Sequence, residues 1–278
     1  MTTVAFQGEL GAFSEEAVHR FFGEGVSPVP RRGFAEVGQA VASREVDFGL
    51  LPIENSLAGS VVGSYDVLSA GDLEVVGEVV TPIHHCLLGV PGTRLDEIAH
   101  VLSHPVALAQ CQRFLQAHPA MEAVVFYDTA GAAREVATER QREKAAIAGR
   151  GAAERYGLDV LASDIEDRHD NQTRFLVVAR PGERPSAAQA HGVGPMKSAL
   201  LVETRNTPGA LVRLLVPFAD RGINLSKIES RPGTEPWSYR FFIEVEADAN
   251  SPEAREALRD AAPHAARLQL LGTFARAG

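Results

Sequence analysis

The chain has 278 residues, 45% of them hydrophobic and 23% charged, a globular composition with enough length for two cores. Its net charge of −9 argues against a nucleic-acid partner, because neutralising phosphates needs a basic face; an anionic ligand must instead meet a local focus of positive potential. Cys86 and Cys111 are too few for a disulfide framework, and no apolar run approaches the roughly 18 residues of a membrane span. The N-terminal MTTVAFQGEL lacks the basic and apolar segments of a secretory signal, so a cytoplasmic protein without a membrane partner is expected.

Val4-Ala5-Phe6 reads as a first strand, followed by the turn Gly8-Glu9-Leu10-Gly11 and a helix. Ser14 is the expected N-cap, Glu15 and Glu16 suit the positive end of the helix dipole, and Gly23 is expected to close the helix. Further strands are expected over residues 47–53, at Val101-Leu102, over 124–127 and over 145–148, with helices over 106–117, 129–139 and 150–156. Strands alternating with helices imply an α/β architecture with largely parallel sheets. Polar residues recur where these strands end: Gly8 to Gly11, Glu54-Asn55-Ser56, Ser103-His104 and Asp128-Thr129. Such positions lie at the carboxyl ends of strands, where helix N-termini present free N–H groups and anions bind. They also serve as plain helix caps, and both readings stand at this point.

In HDNQTRFLVVAR, residues 169–180, the polar cluster Asn171-Gln172-Thr173-Arg174 runs directly into an apolar strand. An ordinary turn entering a sheet explains it, and so does a hydroxyl and a guanidinium set at the mouth of a cleft. Residues 181–195, PGERPSAAQAHGVGP, have no apolar period and read as a linker. Beyond it, residues 198–203 alternate as a strand, Pro208 is expected at the first position of a helix, and Leu211, Leu214, Leu215 and Phe218 share one apolar face. Gly222 is expected to end that helix, with strands following over 223–228 and 237–245. Ser251-Pro252 should cap a helix reaching about 262, before a last strand over 268–274. The order βαββαβ is the ferredoxin-like pattern.

The motifs GELGAFS (8–14), PIENS (52–56), SHP (103–105), ALAQC (107–111) and Thr129-Ala130 stand in one order with AAIA (145–148) and Thr173-Arg174-Phe175. NTPGAL (206–211), GINL (222–225) and ESRP (229–232) follow. In these residues the chain resembles the prephenate dehydratase family along nearly its whole length, with two departures, Ala12 and Val106, where the family usually carries a hydroxyl residue and glutamine. The resemblance implies a two-lobed, periplasmic-binding-protein-like catalytic domain over 1–180, a linker over 181–195, and a ferredoxin-like ACT regulatory domain over 196–278. It implies a monofunctional lyase that converts prephenate to phenylpyruvate with loss of water and carbon dioxide, a step towards phenylalanine, without metal or organic cofactor. In line with that, His84-His85-Cys86 lies in an extended segment whose adjacent side chains point to opposite faces, so both histidines read as structural. There is no GxGxxG or Walker loop.

By the same resemblance Thr173 is the essential catalytic residue. A threonine hydroxyl is a poor acid, so it reads as a hydrogen-bond donor to the leaving oxygen. Arg174 is suited to a substrate carboxylate through its planar fork. Asn55, Ser56, Ser103, Gln110 and Thr129 are expected to bind substrate; Phe175 packs beside its ring or in the core, and Glu54 is either the proton source or an ordinary carboxylate. A phenylalanine site is implied at Asn206, Gly209, Ala210, Leu211, Asn224 and Leu225, closed by Glu229 and Ser230, in a homodimer or homotetramer. Feedback inhibition then couples two sites, and a chain cut within 181–195 should be active but insensitive. Three rivals are a non-catalytic small-anion binder, an arogenate dehydratase, and a fused chorismate mutase, for which a first strand at Val4 leaves no room.

Overall fold

The computed structural model of the protein describes residues 1–186, 194–205, 207–233 and 235–277; part of the expected linker and Asn206 lie outside them. The first elements are β1 (Thr2–Gln7), α1 (Phe13–Phe22), β2 (Val26–Arg31), α2 (Phe34–Ala42), β3 (Phe48–Asn55), β4 (Gly59–Ser60), α3 (Val62–Ser69), β5 (Glu74–Pro82) and β6 (Cys86–Gly89). Next come β7 (His100–Ser103), α4 (Pro105–Gln110), α5 (Gln112–Ala117), β8 (Glu122–Val125), α6 (Thr129–Glu139), β9 (Lys144–Ala148), α7 (Arg150–Tyr156), β10 (Asp159–Ala162) and β11 (Gln172–Ala179). The last are β12 (Met196–Thr204), α8 (Ala210–Ala219), β13 (Leu225–Pro232), β14 (Tyr239–Val245), α9 (Pro252–Ala261) and β15 (Ala265–Ala275). The chain divides into two compact units, Met1–Ser64 with Val80–Phe175, and Tyr65–Val79 with Leu176–Gly278.

One sheet runs β2-β1-β3-β11-β5, with β4 paired to β3; β1, β2 and β3 lie in the first unit, and β1 is parallel to both β2 and β3. Val4, Ala5 and Phe6 of β1 are fully buried, as a parallel strand covered on both faces requires. Each large side chain so buried contributes about 1.5–3 kcal/mol. The second sheet runs β10-β6-β9-β7-β8; β7 is parallel to β8 and β9, and β6 is antiparallel to β9 and β10. Its core joins Leu87, Val101, Leu108, Cys111 and Ile147. β2 escapes a sequence reading because Pro28 and Pro30 demote it; it is tolerated as the edge strand of its sheet.

Two local expectations are corrected here. Helix α1 starts at Phe13, with Ala12 rather than Ser14 at the N-cap and no side-chain cap, and the Glu15 carboxylate accepts the backbone N–H of Gly11, one residue before the cap. The helix expected over 106–117 is two helices parted at Cys111. Asp167 makes that break: its N–H donates to the Gln110 carbonyl at 2.7 Å, and its carboxylate accepts from Arg113 N at 2.9 Å. An inserted segment takes over the helix's own ladder there.

In the second unit β13-β14-β12-β15 form an antiparallel sheet, and the order β12-α8-β13-β14-α9-β15 is the βαββαβ pattern read from the sequence. Leu200, Leu214, Phe218, Ile243 and Ala257 make its core, with Leu211 and Leu215 against it. Gly209, at φ 75°, is the N-cap of α8, so Pro208 stands outside the helix, contrary to expectation. Ser251 caps α9, accepting from Ala254 N at 3.3 Å. The segment from Tyr65 to Val79 packs on this sheet: Tyr65 meets Phe242 at 4.9 Å between ring centroids. The buried Lys197 ammonium lies 2.6 Å from Glu244 and 3.2 Å from Glu78. A Cβ on Gly272 would sit 2.0 Å from the Val75 carbonyl oxygen, so only glycine fits there. Among the described residues no helix is long and apolar enough to cross a membrane.

Candidate active site

The end of β3 and the start of β11 are stitched together by side chains as well as backbone. Ser56 N donates to Gln172 O at 2.8 Å, while the Ser56 hydroxyl accepts from Gln172 N at 3.0 Å and donates to Asp170 O at 3.2 Å. Asn55 is the hub. Its Oδ1 accepts from Leu57 N and Ala58 N at 3.0 and 2.8 Å, which settles which end of the carboxamide is which. Its Nδ2 then faces Asn171 Oδ1 at 2.8 Å, Thr173 Oγ1 at 2.9 Å and Gln172 O at 3.2 Å. Asn171, almost fully buried, passes the polarity on, with its Nδ2 donating to Gln110 Oε1 at 3.1 Å. Because Thr173 Oγ1 accepts from Asn55, the single hydrogen of that hydroxyl is available to an acceptor elsewhere.

Thr173 and Phe175, two residues apart on β11, face a cavity of about 500 Å3. Asn55, Gln110 and Thr129 line it too, so five of the eight expected residues converge. The other three do not. Ser103 is fully buried and donates to the Ile147 carbonyl at 2.6 Å. Ser56 does the stitching described above. Arg174 lies on the opposite face of β11 from Thr173, reaching Glu54 at 3.5 Å, and neither of that pair lines the cavity. The expectation that hydroxyl and guanidinium together face a ligand is therefore corrected: side chains one residue apart on a strand point apart.

Apolar wall comes from Phe13, Phe34, Pro52, Ile83 and Phe175, and among the described residues no lysine or arginine lines the cavity. The N-terminal ends of α1 and α6, where helix N–H groups favour an anion, reach it through Phe13, Ser14, Asp128 and Thr129, with the Asp128 carboxylate beside them. Asp128 caps α6, accepting from Gly131 N at 2.8 Å; burial, helped by the nearby Glu9 charge, pushes its carboxyl above the usual range. At the rim Tyr127 donates to Glu9 at 2.9 Å, and Arg134 bonds Glu9 at 2.7 Å and the Tyr127 oxygen at 2.9 Å. Burial and the bond to Glu9 push Tyr127 up to about 12. This network pins the loop after β1, whose Gly11, at φ 88°, approaches Ala152 so closely that a Cβ would lie 2.9 Å from its Cα.

Sequence reasoning assigns no site role to His85 or Asn171, and reads Asp128 only as one of the strand-end polar residues where anions bind or helices are capped. Expected to be structural, His85 lines the cavity, and its Nε2 lies 3.0 Å from Gln110 Oε1. His84 points elsewhere, with its Nδ1 2.9 Å from Glu166 and 3.8 Å from Asp164. Those three residues bring one nitrogen and two oxygens within 4.8 Å of one another, a spacing open to a metal ion. The Glu166 carboxylate is already engaged by His84, His169 and the His85 N–H, which accounts for the cluster as hydrogen bonding.

In the second unit Gly209, Ala210 and Leu211 begin α8, and Asn224 and Leu225 lead into β13, with Asn224 Nδ2 donating to Glu246 at 2.9 Å. Glu229 is half-buried and Ser230 exposed on β13, so the two alternate in side. Asn206 lies outside the described residues.

Comparison with known proteins places this geometry. Residues 4–183 match the family model for prephenate dehydratase, and residues 198–263 that for the ACT domain. The chain is 38% identical over 276 residues to a bifunctional chorismate mutase/prephenate dehydratase of Pseudomonas aeruginosa, covering 99% of this chain and 73% of that protein. It is 39% identical over 281 residues to arogenate dehydratase/prephenate dehydratase 2 of Arabidopsis thaliana, covering 98% and 72%. Among solved structures, prephenate dehydratase from Arthrobacter aurescens in complex with L-Phe is similar at a TM-score of 0.89 with 32% identity, covering 99% of this chain and 90% of that one. A protein described as a novel type of quorum quenching acylase also scores 0.89, with 33% identity and coverage of 99% and 98%. On a family match spanning most of its length, the chain belongs to the prephenate dehydratase family, enzymes of the dehydratase-type lyase class, and it carries an ACT domain at its C-terminal end.

Proposed function

We propose that the cavity converts prephenate to phenylpyruvate, and that phenylalanine lowers the rate through the ACT domain. The observation that carries this reading is the Thr173 hydroxyl, oriented by Asn55 at 2.9 Å and facing a cavity beside Phe175. In the reaction the bond from the ring to its carboxylate breaks and carbon dioxide leaves. The electron pair enters the ring, and the carbon–oxygen bond across the ring breaks. The departing hydroxide takes up one proton to become water. Aromatisation drives these steps, so the protein supplies no strong nucleophile. Thr173 donates to the leaving oxygen as negative charge grows on it. Gln110 and the first turns of α1 and α6 hold the carboxylates, and Phe13 and Phe175 flank the ring. Glu54, paired with Arg174 away from the cavity, has no part as proton source.

Arogenate is a second reading with one observation in its favour: the Asp128 carboxylate in the cavity wall would attract arogenate's ammonium group. We also carry forward a homodimer or homotetramer, testable by light scattering. Truncation does not isolate the regulatory part, because removing the C-terminal segment would strip Tyr65 of Phe242 and Glu78 of Lys197. The test uses the full chain with prephenate and with arogenate, each with and without phenylalanine, reading phenylpyruvate by its absorbance in alkali and phenylalanine by chromatography. Phenylpyruvate formed faster than phenylalanine, and slowed by added phenylalanine, is expected. No turnover of prephenate would overturn the reading.

A further inference from the structure

We propose that His85 is a positioning residue: its ring N–H holds the Gln110 carboxamide in the orientation that presents an NH2 group, not a carbonyl, to the ligand. The polarity reads outward from the backbone. Two backbone N–H groups make the inner atom of Asn55 an oxygen, so its outer atom donates to Asn171 Oδ1, and Asn171 in turn donates to Gln110 Oε1. The Gln110 atom 3.0 Å from His85 Nε2 is therefore an oxygen, and it can pair only with a ring nitrogen that carries a proton. Burial lowers the His85 pKa, outweighing the bond to Gln110 and the Glu166 charge, so the ring is neutral and its one proton sits on Nε2. Nδ1 is then a bare acceptor, buried and without a hydrogen-bond partner among the described residues.

The ring and the backbone that carries it are each fixed by a contact. Phe13 meets the ring edge-on at 5.6 Å between centroids, and the His85 backbone N–H donates to the buried Glu166 carboxylate at 2.9 Å. Two donors thus converge on Gln110 Oε1, one from Asn171 and one from His85. Turning the carboxamide over would set its NH2 against both. Without His85 only Asn171 opposes the flip, and a flipped Gln110 points a carbonyl oxygen at an anionic ligand.

The kinetic part of the test rests on the proposed reaction; the spectroscopic part does not. In the ring 15N spectrum of the full chain at neutral pH, His85 should appear neutral with its proton on Nε2. An Nδ1–H tautomer or an imidazolium overturns the inference. In steady-state assays His85→Leu should raise the KM for prephenate roughly five- to tenfold with kcat within about twofold, the loss of one hydrogen bond acting on binding. His85→Gln, whose amide nitrogen reaches the place of Nε2, should restore most of the affinity. In a Gln110→Leu background His85→Leu should add nothing. An unchanged KM, a fall confined to kcat, or fully additive losses would overturn the role. Should His85→Leu fail to fold, Gln110→Leu decides: the Nε2–H resonance must shift when its acceptor is removed, and an unmoved resonance refutes the contact. A wild-type chain inactive on prephenate refutes the proposed function alone, since the ring spectrum still decides the role of His85.

Discussion

Replacing Asn55 with aspartate exchanges one NH2 group for an oxygen and reverses the sense of the whole network. The aspartate can still accept from Leu57 N and Ala58 N, which lie 3.0 and 2.8 Å from Asn55 Oδ1. Its second oxygen then confronts three acceptors, Asn171 Oδ1, Thr173 Oγ1 and Gln172 O, at 2.8, 2.9 and 3.2 Å. Gln172 O cannot adapt; Asn171 can turn its carboxamide over, and Thr173 can turn its hydroxyl to donate to the new carboxylate, a charge-assisted bond worth about 1.5–3 kcal/mol. That turn withdraws the hydrogen from the leaving oxygen. Loss of one such donor costs roughly 10²–10³ in kcat, so Asn55→Asp should turn over prephenate at least about a hundredfold more slowly. KM should rise as well, because the cavity gains a negative charge. The assay is phenylpyruvate formation by protein whose circular dichroism matches wild type. A folded Asn55→Asp enzyme with kcat within about threefold of wild type would refute the orientation of Thr173 argued above.

Arg174→Lys should leave the KM for prephenate within about twofold of wild type, because the guanidinium faces Glu54 and not the cavity; a tenfold rise would return Arg174 to the substrate. The raised Asp128 pKa means that its ionised form costs stability in the folded state, a cost absent at low pH and fully present above its folded pKa. Asp128→Asn, which keeps a capping oxygen, should therefore gain stability over wild type in denaturant titrations at neutral pH, with the gain fading towards pH 4. The same variant should lower the KM for prephenate by removing a like charge, and a collapse of kcat instead would make Asp128 the proton source. Lys197→Met removes the ammonium that faces Glu78 and Glu244 in a buried site, and about 3–5 kcal/mol should be lost in urea unfolding; a loss under about 1 kcal/mol would contradict this.

Much of the architecture was legible in the sequence because local signals and tertiary packing agree there. Residues 129–139 and 150–156 match α6 and α7 end to end, and the apolar face of Leu211, Leu214, Leu215 and Phe218 packs into the core of its sheet. The failures have specific causes. The split at Cys111 comes from Asp167, more than fifty residues away, and no helical propensity announces it. The strand with Pro28 and Pro30 survives only because it lies at a sheet edge. Tyr65 to Val79 joins the C-terminal segment by contacts with Phe242, Lys197 and Gly272 that linear order hides. At the site, Thr173, Asn55 and Gln110 were legible as motif residues, while Asn171 and His85 matter through partners distant in the chain. Arg174 was legible and misread: the alternation that separates His84 from His85 also separates Thr173 from Arg174.

Turnover of prephenate by Thr173→Ala, beside Thr173→Ser, probes the hydroxyl itself. A loss of at least about a hundredfold in kcat is expected for alanine, with the fold intact and serine retaining far more, since serine keeps the donor that Asn55 orients. Alanine and wild-type enzymes with equal kcat would mean that the leaving oxygen is stabilised by some other group.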